Sequence, residues 1–427
     1  MSEWAVVIAG GVVVGYGALS RRLSTTVVSG PLVFMLVGLA IGPVGLDLLD
    51  RTRDTEVVQA LLESALVLLL FSDAAGIRSR DLRREEFLPL RLLVVGLPVT
   101  MALGWLAAWP LLPGLSVWEL ALVGIILAPT DVALGQQAIS NMRVPALVRG
   151  GLSVESGLND GLTLPFFVMA LAAAGGGHDH PGVAETFLRA LLLSGAIGIA
   201  AGWAGASLLS WSLARGWSSS DWRQFMALVV SVIAYVLCVM GDGSGFIGAW
   251  VAGLAFGGRL RRAPTDRGAR VEEEDPTQST RFTARLGLLL ASLSFLCFGA
   301  VVLGPVLQHL TWRSVVYALV SLTVIRMLPV ALSLTGTGLR PASVAYIGWF
   351  GPRGLASLVF GLIAFEEHLP GGTLLGEVIA VTVGLSILLH GASAPFLGNR
   401  YGEWFTRTLR VKPNLRENAL ANDEVPP

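Results

Sequence analysis

Residues 152–165 read LSVESGLNDGLTLP. Glu155, Asn159 and Asp160 stand there among Leu, Val, Gly, Ser and Thr, in the middle of an apolar stretch from about 146 to 175. A polar group taken out of water costs free energy unless it is partnered, and a carboxylate costs most. A helix that carries two carboxylates and an amide through lipid must therefore have partners or ligands for them.

The rest of the chain is also built for lipid. Of 427 residues, 53% are hydrophobic and 14% charged, with a mean hydropathy of +0.68, whereas soluble domains carry about a quarter charged residues. Apolar windows of roughly 20 residues, the length a helix needs to cross a bilayer, recur near residues 3–20, 25–46, 57–76, 88–112, 117–140, 146–175, 185–213, 224–240, 243–260, 285–307, 312–336, 342–366 and 374–398. The expectation is an all-α polytopic membrane protein of about thirteen spans.

Alternate breaks between these windows hold 24 of the 30 Lys and Arg, as the positive-inside rule requires for an extracytoplasmic N-terminus and a cytoplasmic C-terminus. A prokaryotic inner or plasma membrane fits this pattern. The first span is followed, not preceded, by Arg21 and Arg22 and reads as a retained helix, not a cleaved leader. Net charge is zero, and no basic domain points to nucleic acid. Cys238 and Cys297 both fall inside spans and read as core residues.

Residues 1–398 form one transmembrane domain, with core helices near 88–175 and 312–398 and candidate dimerisation helices near 3–76 and 185–307. Residues 399–427 form a cytoplasmic tail, opening on NRYGEWFTRTLRVK, which reads as a short membrane-surface helix. Residues 261–281 read as a flexible cytoplasmic loop, and residues 77–87 as a further surface helix or a solvated loop.

The two halves of the chain are related. SGPLVFMLVGLAIG (29–42, span 2) matches SGFIGAWVAGLAFG (244–257, span 9), and LPVTMAL (97–103, span 4) matches LPVALSL (328–334, span 11). Both matches join spans seven apart, which run in opposite directions, so spans 1–6 and 8–13 read as inverted repeats of the kind transporters use. The same offset pairs span 5 with span 12. Span 5 carries Pro129-Thr130-Asp131 and span 12 carries Pro352-Arg353. Proline removes a backbone hydrogen bond, so both spans should be broken helices that cross, one break holding an acid and the other a base.

Seven ionisable residues lie deep in the spans: Glu63, Asp73, Asp131, Glu155, Asp160, Arg326 and Arg353. Two arginines cannot neutralise five acids, so bound protons or cations must balance the rest. On span 6, residues four apart share a face. Glu155 and Asn159 are accordingly expected to face Arg353, and Ser156 and Asp160 a cavity with Asp131. Carboxylates, hydroxyls and freed carbonyls suit hard cations and not zinc or copper. Two acids in one low-dielectric cavity also resist being ionised together. Such a site binds a proton or a cation in turn, which is the requirement for exchange.

VESGLNDG (154–161), PTD (129–131) and GPRG (351–354) together resemble the motifs of the cation:proton antiporters of the sodium/proton exchanger (NhaP-like) type, and the resemblance runs from span 1 to span 13. It implies that Asp131 and Asp160 bind ion and proton, with Ser156 and the Thr130 carbonyl as further Na+ ligands and Asp73 as a third acid. It also implies that Glu155 and Arg353 form a structural ion pair beside Asn159, and that an Asn before the aspartate accompanies electroneutral one-for-one exchange. The implied substrates are H+ and a monovalent cation, Na+ or Li+, with K+ as the alternative. No cofactor is implied; the implied partners are the lipid bilayer and a second copy of the chain. The chain departs from the pattern in two places. Pro129 precedes the Thr-Asp pair where the family has proline after it, and Asp73 stands where many members have Glu.

Weaker signals give blander readings. GGGHDHPG, with His178 and His180, reads as a solvated loop; His390 as a core histidine; and GDGSG (241–245) as a tight turn. Two rival functions remain, an intramembrane aspartyl protease using Asp131 and Asp160, or a cation channel or sensor on the same scaffold. The inverted repeat and the thirteen spans argue against the protease, and no filter loop is present for a channel.

Overall fold

The computed structural model describes residues 3–23, 26–49, 51–77, 87–175, 183–262, 276–412 and 414–418. The sequence readings at His178, His180, most of the 261–281 loop, residues 78–86 and the tail beyond 418 lie outside these residues. The described residues are helical throughout, with no strand among them. The helices are α1 Glu3–Leu23, α2 Gly30–Ile41, α3 Arg51–Gly76, α4 Phe87–Leu111, α5 Val117–Ile126, α6 Val132–Ile139, α7 Ala146–Gly175, α8 Val183–Ala214, α9 Ser220–Met240 and α10 Gly245–Arg261. They continue as α11 Gln278–Gln308, α12 Trp312–Ser333, α13 Pro341–Trp349, α14 Leu355–Glu366 and α15 Gly372–Val411. Nine of those described are long and apolar enough to cross a membrane. The other four expected windows hold shorter helices: α2, α10 and the pairs α5/α6 and α13/α14.

Spans 5 and 12 are each broken as expected, at residues 127–131 and 350–354. Spans 4 and 11 share a subtler feature. Each contains a π-turn, Leu92–Gly96 in α4 and Ser321–Ile325 in α12. In both, a proline comes next (Pro98, Pro329), and its ring displaces the carbonyl four residues back. Those carbonyls belong to Val94 and Ile325, within the widened turns.

The chain divides into two compact units. The first comprises Met1–Ala60, Asp81–Asn159 and Ser292–Pro427, the second Leu61–Arg80 and Asp160–Ala291. One core of the first unit gathers Leu88, Leu92, Val148, Leu152, Val330, Ile347 and Tyr401 around the broken helices. In the same unit α2 lies directly on α11. A Cβ on Gly38 would strike the Leu296 carbonyl, and one on Gly299 the Met35 carbonyl, so two backbones meet where the chain lacks side chains. The second unit packs Phe71, Ala206, Leu209, Ala234, Ala252 and Phe256 together, the small residues allowing the close helix approach that lipid-embedded packing depends on.

Two expectations are refined. The chain after Gly398 does not begin a separate surface helix. α15 runs unbroken for 40 residues, about 60 Å at 1.5 Å per residue, well beyond a hydrocarbon core of roughly 30 Å. The GDGSG segment is indeed a turn, with Asp242 at φ 58° and the Ser244 hydroxyl accepting from Ile247 N to start α10. Cys238 and Cys297 are buried free thiols.

Candidate functional site

The two breaks meet, and each supplies what the other's helix ends lack. A helix leaves its last carbonyls and first amides without internal partners, and here they are buried. At the end of α5, the Ile126 carbonyl accepts from Ser357 Oγ at 2.7 Å. Arg353 Nη1 donates to the carbonyls of Ala128 (3.0 Å), Pro129 (3.2 Å) and Gly351 (3.3 Å). At the start of α14, Leu355 N donates to Asp131 Oδ2 at 2.9 Å, while Asp131 N donates to the Pro352 carbonyl at 2.8 Å. The acid of one break thus sits at the positive end of a helix from the other, and the arginine serves the opposite, negative end. Both placements agree with the helix dipole. Gly354 makes the approach feasible, since a Cβ there would collide with the Asp131 carboxylate.

Helix α7 crosses beside the first break. Ser156 Oγ donates to the Thr130 carbonyl at 2.5 Å, and Asn159 Nδ2 to Thr130 Oγ1 at 2.7 Å. All three residues are buried. This corrects the division of α7 into two functional faces. Asn159 joins Ser156 on Thr130 because residues three apart are as close on a helix as residues four apart.

The expected pair of Glu155 with Arg353 is also corrected. Glu155 is held by Arg326 of α12 through two parallel hydrogen bonds, Nη1 to Oε1 at 2.6 Å and Nη2 to Oε2 at 2.8 Å. Both side chains are nearly inaccessible. Arg353, fully buried, has its Nη1 committed to backbone carbonyls instead. Its own backbone amide donates to Ser386 Oγ of α15 at 2.7 Å. His390, one turn along, places Nδ1 within 3.2 Å of that hydroxyl and 3.0 Å of the Ser386 carbonyl, which makes it a partnered core histidine.

Of the residues singled out from sequence, Thr130, Asp131, Glu155, Ser156, Asn159 and Arg353 belong to this one constellation. Asp131 is half-buried. Asp160, also half-buried, comes next on α7, where that helix enters the second unit. Asp73 belongs to the second unit and is exposed on α3. Glu63, likewise in the second unit, accepts from Tyr235 OH at 2.9 Å. Ser357, Ser386 and the role of Arg326 escaped the sequence reading. A serine in an apolar helix carries no signal of its own, but Arg326, as an intramembrane charge, was already visible as one needing a partner. Among the described residues no group of three or more His, Cys, Asp or Glu could hold a metal.

Known proteins resemble the chain in sequence and in fold. A family model described as "Sodium/hydrogen exchanger, transmembrane" matches residues 9–400. The chain is 28% identical over 384 residues to a K(+)/H(+) antiporter NhaP from Alkalimonas amylolytica, covering 88% of this chain and 62% of that protein. It is 27% identical to Na(+)/H(+) antiporter 2 of Zygosaccharomyces rouxii, covering 92% of this chain and 52% of that one. The chain therefore spans less than two thirds of the length of these relatives. The solved structure of the sodium proton antiporter MjNhaP1 from Methanocaldococcus jannaschii at pH 8 superposes with a TM-score of 0.74 at 21% identity, covering 93% of this chain and 99% of that one, which shows the same fold. An all-helical membrane chain with two crossed broken helices, matched by the family model over nearly its whole length, belongs to the transmembrane sodium/hydrogen exchanger family, a family of transporters and not of enzymes.

Proposed function

We propose that the protein is a secondary antiporter that exchanges a monovalent cation, Na+ or Li+, for H+ across a prokaryotic plasma membrane, one for one and without net charge movement. The observation that carries this reading is the oxygen cluster at the first break, where the Thr130 carbonyl and hydroxyl, the Ser156 hydroxyl and the Asp131 carboxylate lie on neighbouring segments. A carbonyl has two acceptor directions, so Ser156 leaves Thr130 able to accept a cation as well. Hard oxygen donors of this type fit an alkali cation. Asp160 and Asp131 are assigned as the acids for which cation and proton compete, with Asp73 as an accessory acid. A carboxylate in low dielectric is costly when charged and uncompensated, so either ligand relieves the same cost and the empty charged site is disfavoured. If only the loaded site passes between the two membrane faces, one gradient drives the other.

Asn159, directed at Thr130, adds no charge beside Asp160, and this supports a single exchanged charge. K+ is the second reading, because several relatives are named K(+)/H(+) antiporters. We further assign an extracytoplasmic N-terminus and a homodimer through helices near 3–76 and 185–307.

The test is reconstitution in vesicles with an imposed gradient of Na+, Li+ or K+ and a lumenal pH reporter, with the voltage clamped at different values. Proton movement independent of voltage is expected, fastest for Na+ or Li+. No proton movement with any of the three would refute antiport, and a rate that tracks voltage would refute electroneutrality.

A further inference from the structure

Helix α13, the half of span 12 that precedes its break, starts with a problem. Its N-cap is Arg340, next to Pro341, and the Arg340 side chain makes no capping bond to the helix. Arginine has no acceptor to offer. The acceptor comes from the C-terminal segment instead. Glu417, only 1% exposed, takes the Arg340 amide on Oε1 at 2.8 Å and the Ser343 hydroxyl on the same oxygen at 2.6 Å. Ser343 Oγ in turn accepts from Tyr401 OH of α15 at 2.9 Å. Around it, Leu415 is buried and the Arg416 guanidinium lies 4.8 Å from the centre of the Phe87 ring at the start of α4.

This seat is connected to the crossing. Tyr401 stacks on Tyr346 at 4.4 Å and 20°, and Tyr346 packs against Phe350, the first residue of the break, at 4.6 Å. Tyr346 OH also donates to the Ala138 carbonyl of α6 at 3.2 Å, so α13 bears on both broken spans. Arg353, which satisfies the end of α5, lies three residues past Phe350. A carboxylate at the first turn of a helix accepts its exposed amides and complements its dipole. Burying one at the end of a polar tail needs such a return.

We propose that Glu417 is a positioning residue for transport: by capping α13 from the C-terminal segment, it fixes the half-helix whose far end carries the Phe350–Arg353 break, the arginine of which holds the end of α5 beside the proposed ion site. The proposal rests on the antiport reading. Loss of the cap lets α13 fray, and only the ordered crossing binds cation. Cation binding then pulls the frayed population back, so the effect falls on the apparent KM and not on the maximal rate.

The Glu417→Ala protein, reconstituted beside its parent, is expected to show an apparent KM for Na+ raised about two- to threefold, with maximal rate within about twofold: loss of one helix N-cap shifts the balance of ordered and frayed α13 about fivefold, and KM rises as the inverse of the ordered fraction. Amide hydrogen exchange at Arg340 and residues 342–344 should accelerate in parallel. Glu417→Gln keeps an acceptor oxygen and should remain near parental KM. Should Glu417→Ala fail to fold, Glu417→Asp, too short to reach Arg340 N, takes its place with the same expected rise. An unchanged KM in the Ala or Asp variant, whether or not exchange accelerates, overturns the proposal, as does a KM rise of equal size in Glu417→Gln. A parent that transports nothing overturns the antiport reading and this proposal with it. A transporting parent with an unaltered variant overturns this proposal alone.

Discussion

The two breaks of the crossing are built from the same device and end in different states. In the second, 350–354, the charge is an arginine that is wholly buried and turned onto three carbonyls. In the first, 127–131, the charge is an aspartate that is half-buried, caps α14 through one oxygen and lies next to a hydroxyl-lined turn. The arginine's work is done within the protein. On the proposed function, the acid break would supply oxygen ligands to the cation. A proline break in lipid would then have two uses, scaffold or site, separated by the sign of the charge it carries.

The strongest way to break this contrast is to remove the acid that should trade its proton. Asp160→Asn keeps shape but cannot bind and release a proton, and exchange should be abolished in a protein that still folds. Exchange near the parental rate would shift the carrier role to another acid. Next in size is Arg326→Ala. It strands Glu155 as a buried unpaired charge, a loss of about 3–5 kcal/mol, so folded yield and thermal stability in detergent should collapse. Retention of both would mean that the bidentate pair is dispensable.

Comparable in size is Arg353→Ala, which strands three backbone carbonyls in place of a side-chain charge, at about 1–3 kcal/mol for each unsatisfied buried acceptor. The thermal midpoint should fall by an amount similar to that for Arg326→Ala. A midpoint that Arg353→Ala leaves unmoved would show that the end of α5 does not depend on the arginine. Smallest is Ser357→Ala, which removes one hydroxyl from the Ile126 carbonyl and should lower stability by about 1 kcal/mol. A loss as large as that of Arg353→Ala would show that a neutral donor holds the crossing as firmly as the charge does.

Much of this was legible in the residues. Pro129 and Pro352 announced the two breaks, and Glu155, Asn159 and Asp160 marked α7 as the helix beside them. Which arginine meets Glu155 was not legible. The π-turn at Ser321–Ile325 inserts a wider turn just before Arg326. It rotates Arg326 and the rest of α12 relative to a 3.6-residue helix, and periodicity counted on a regular helix cannot track that rotation. The reciprocal caps were hidden for another reason. Orphaned carbonyls belong to backbone that every sequence shares, so neither Ser357 nor Arg353 advertises the carbonyl it serves. Likewise, nothing in Arg340-Pro341 says that its missing acceptor lies 77 residues on, at Glu417.

The central claim is that one cation and one proton compete for a single site at the acid break. It is tested most directly by the apparent KM for Na+ measured in vesicles over a series of pH values. The account predicts that on the acid side KM rises in proportion to proton concentration while the maximal rate is unchanged. A KM that stays flat as the maximal rate falls would show that protons act at a separate site, and would contradict it.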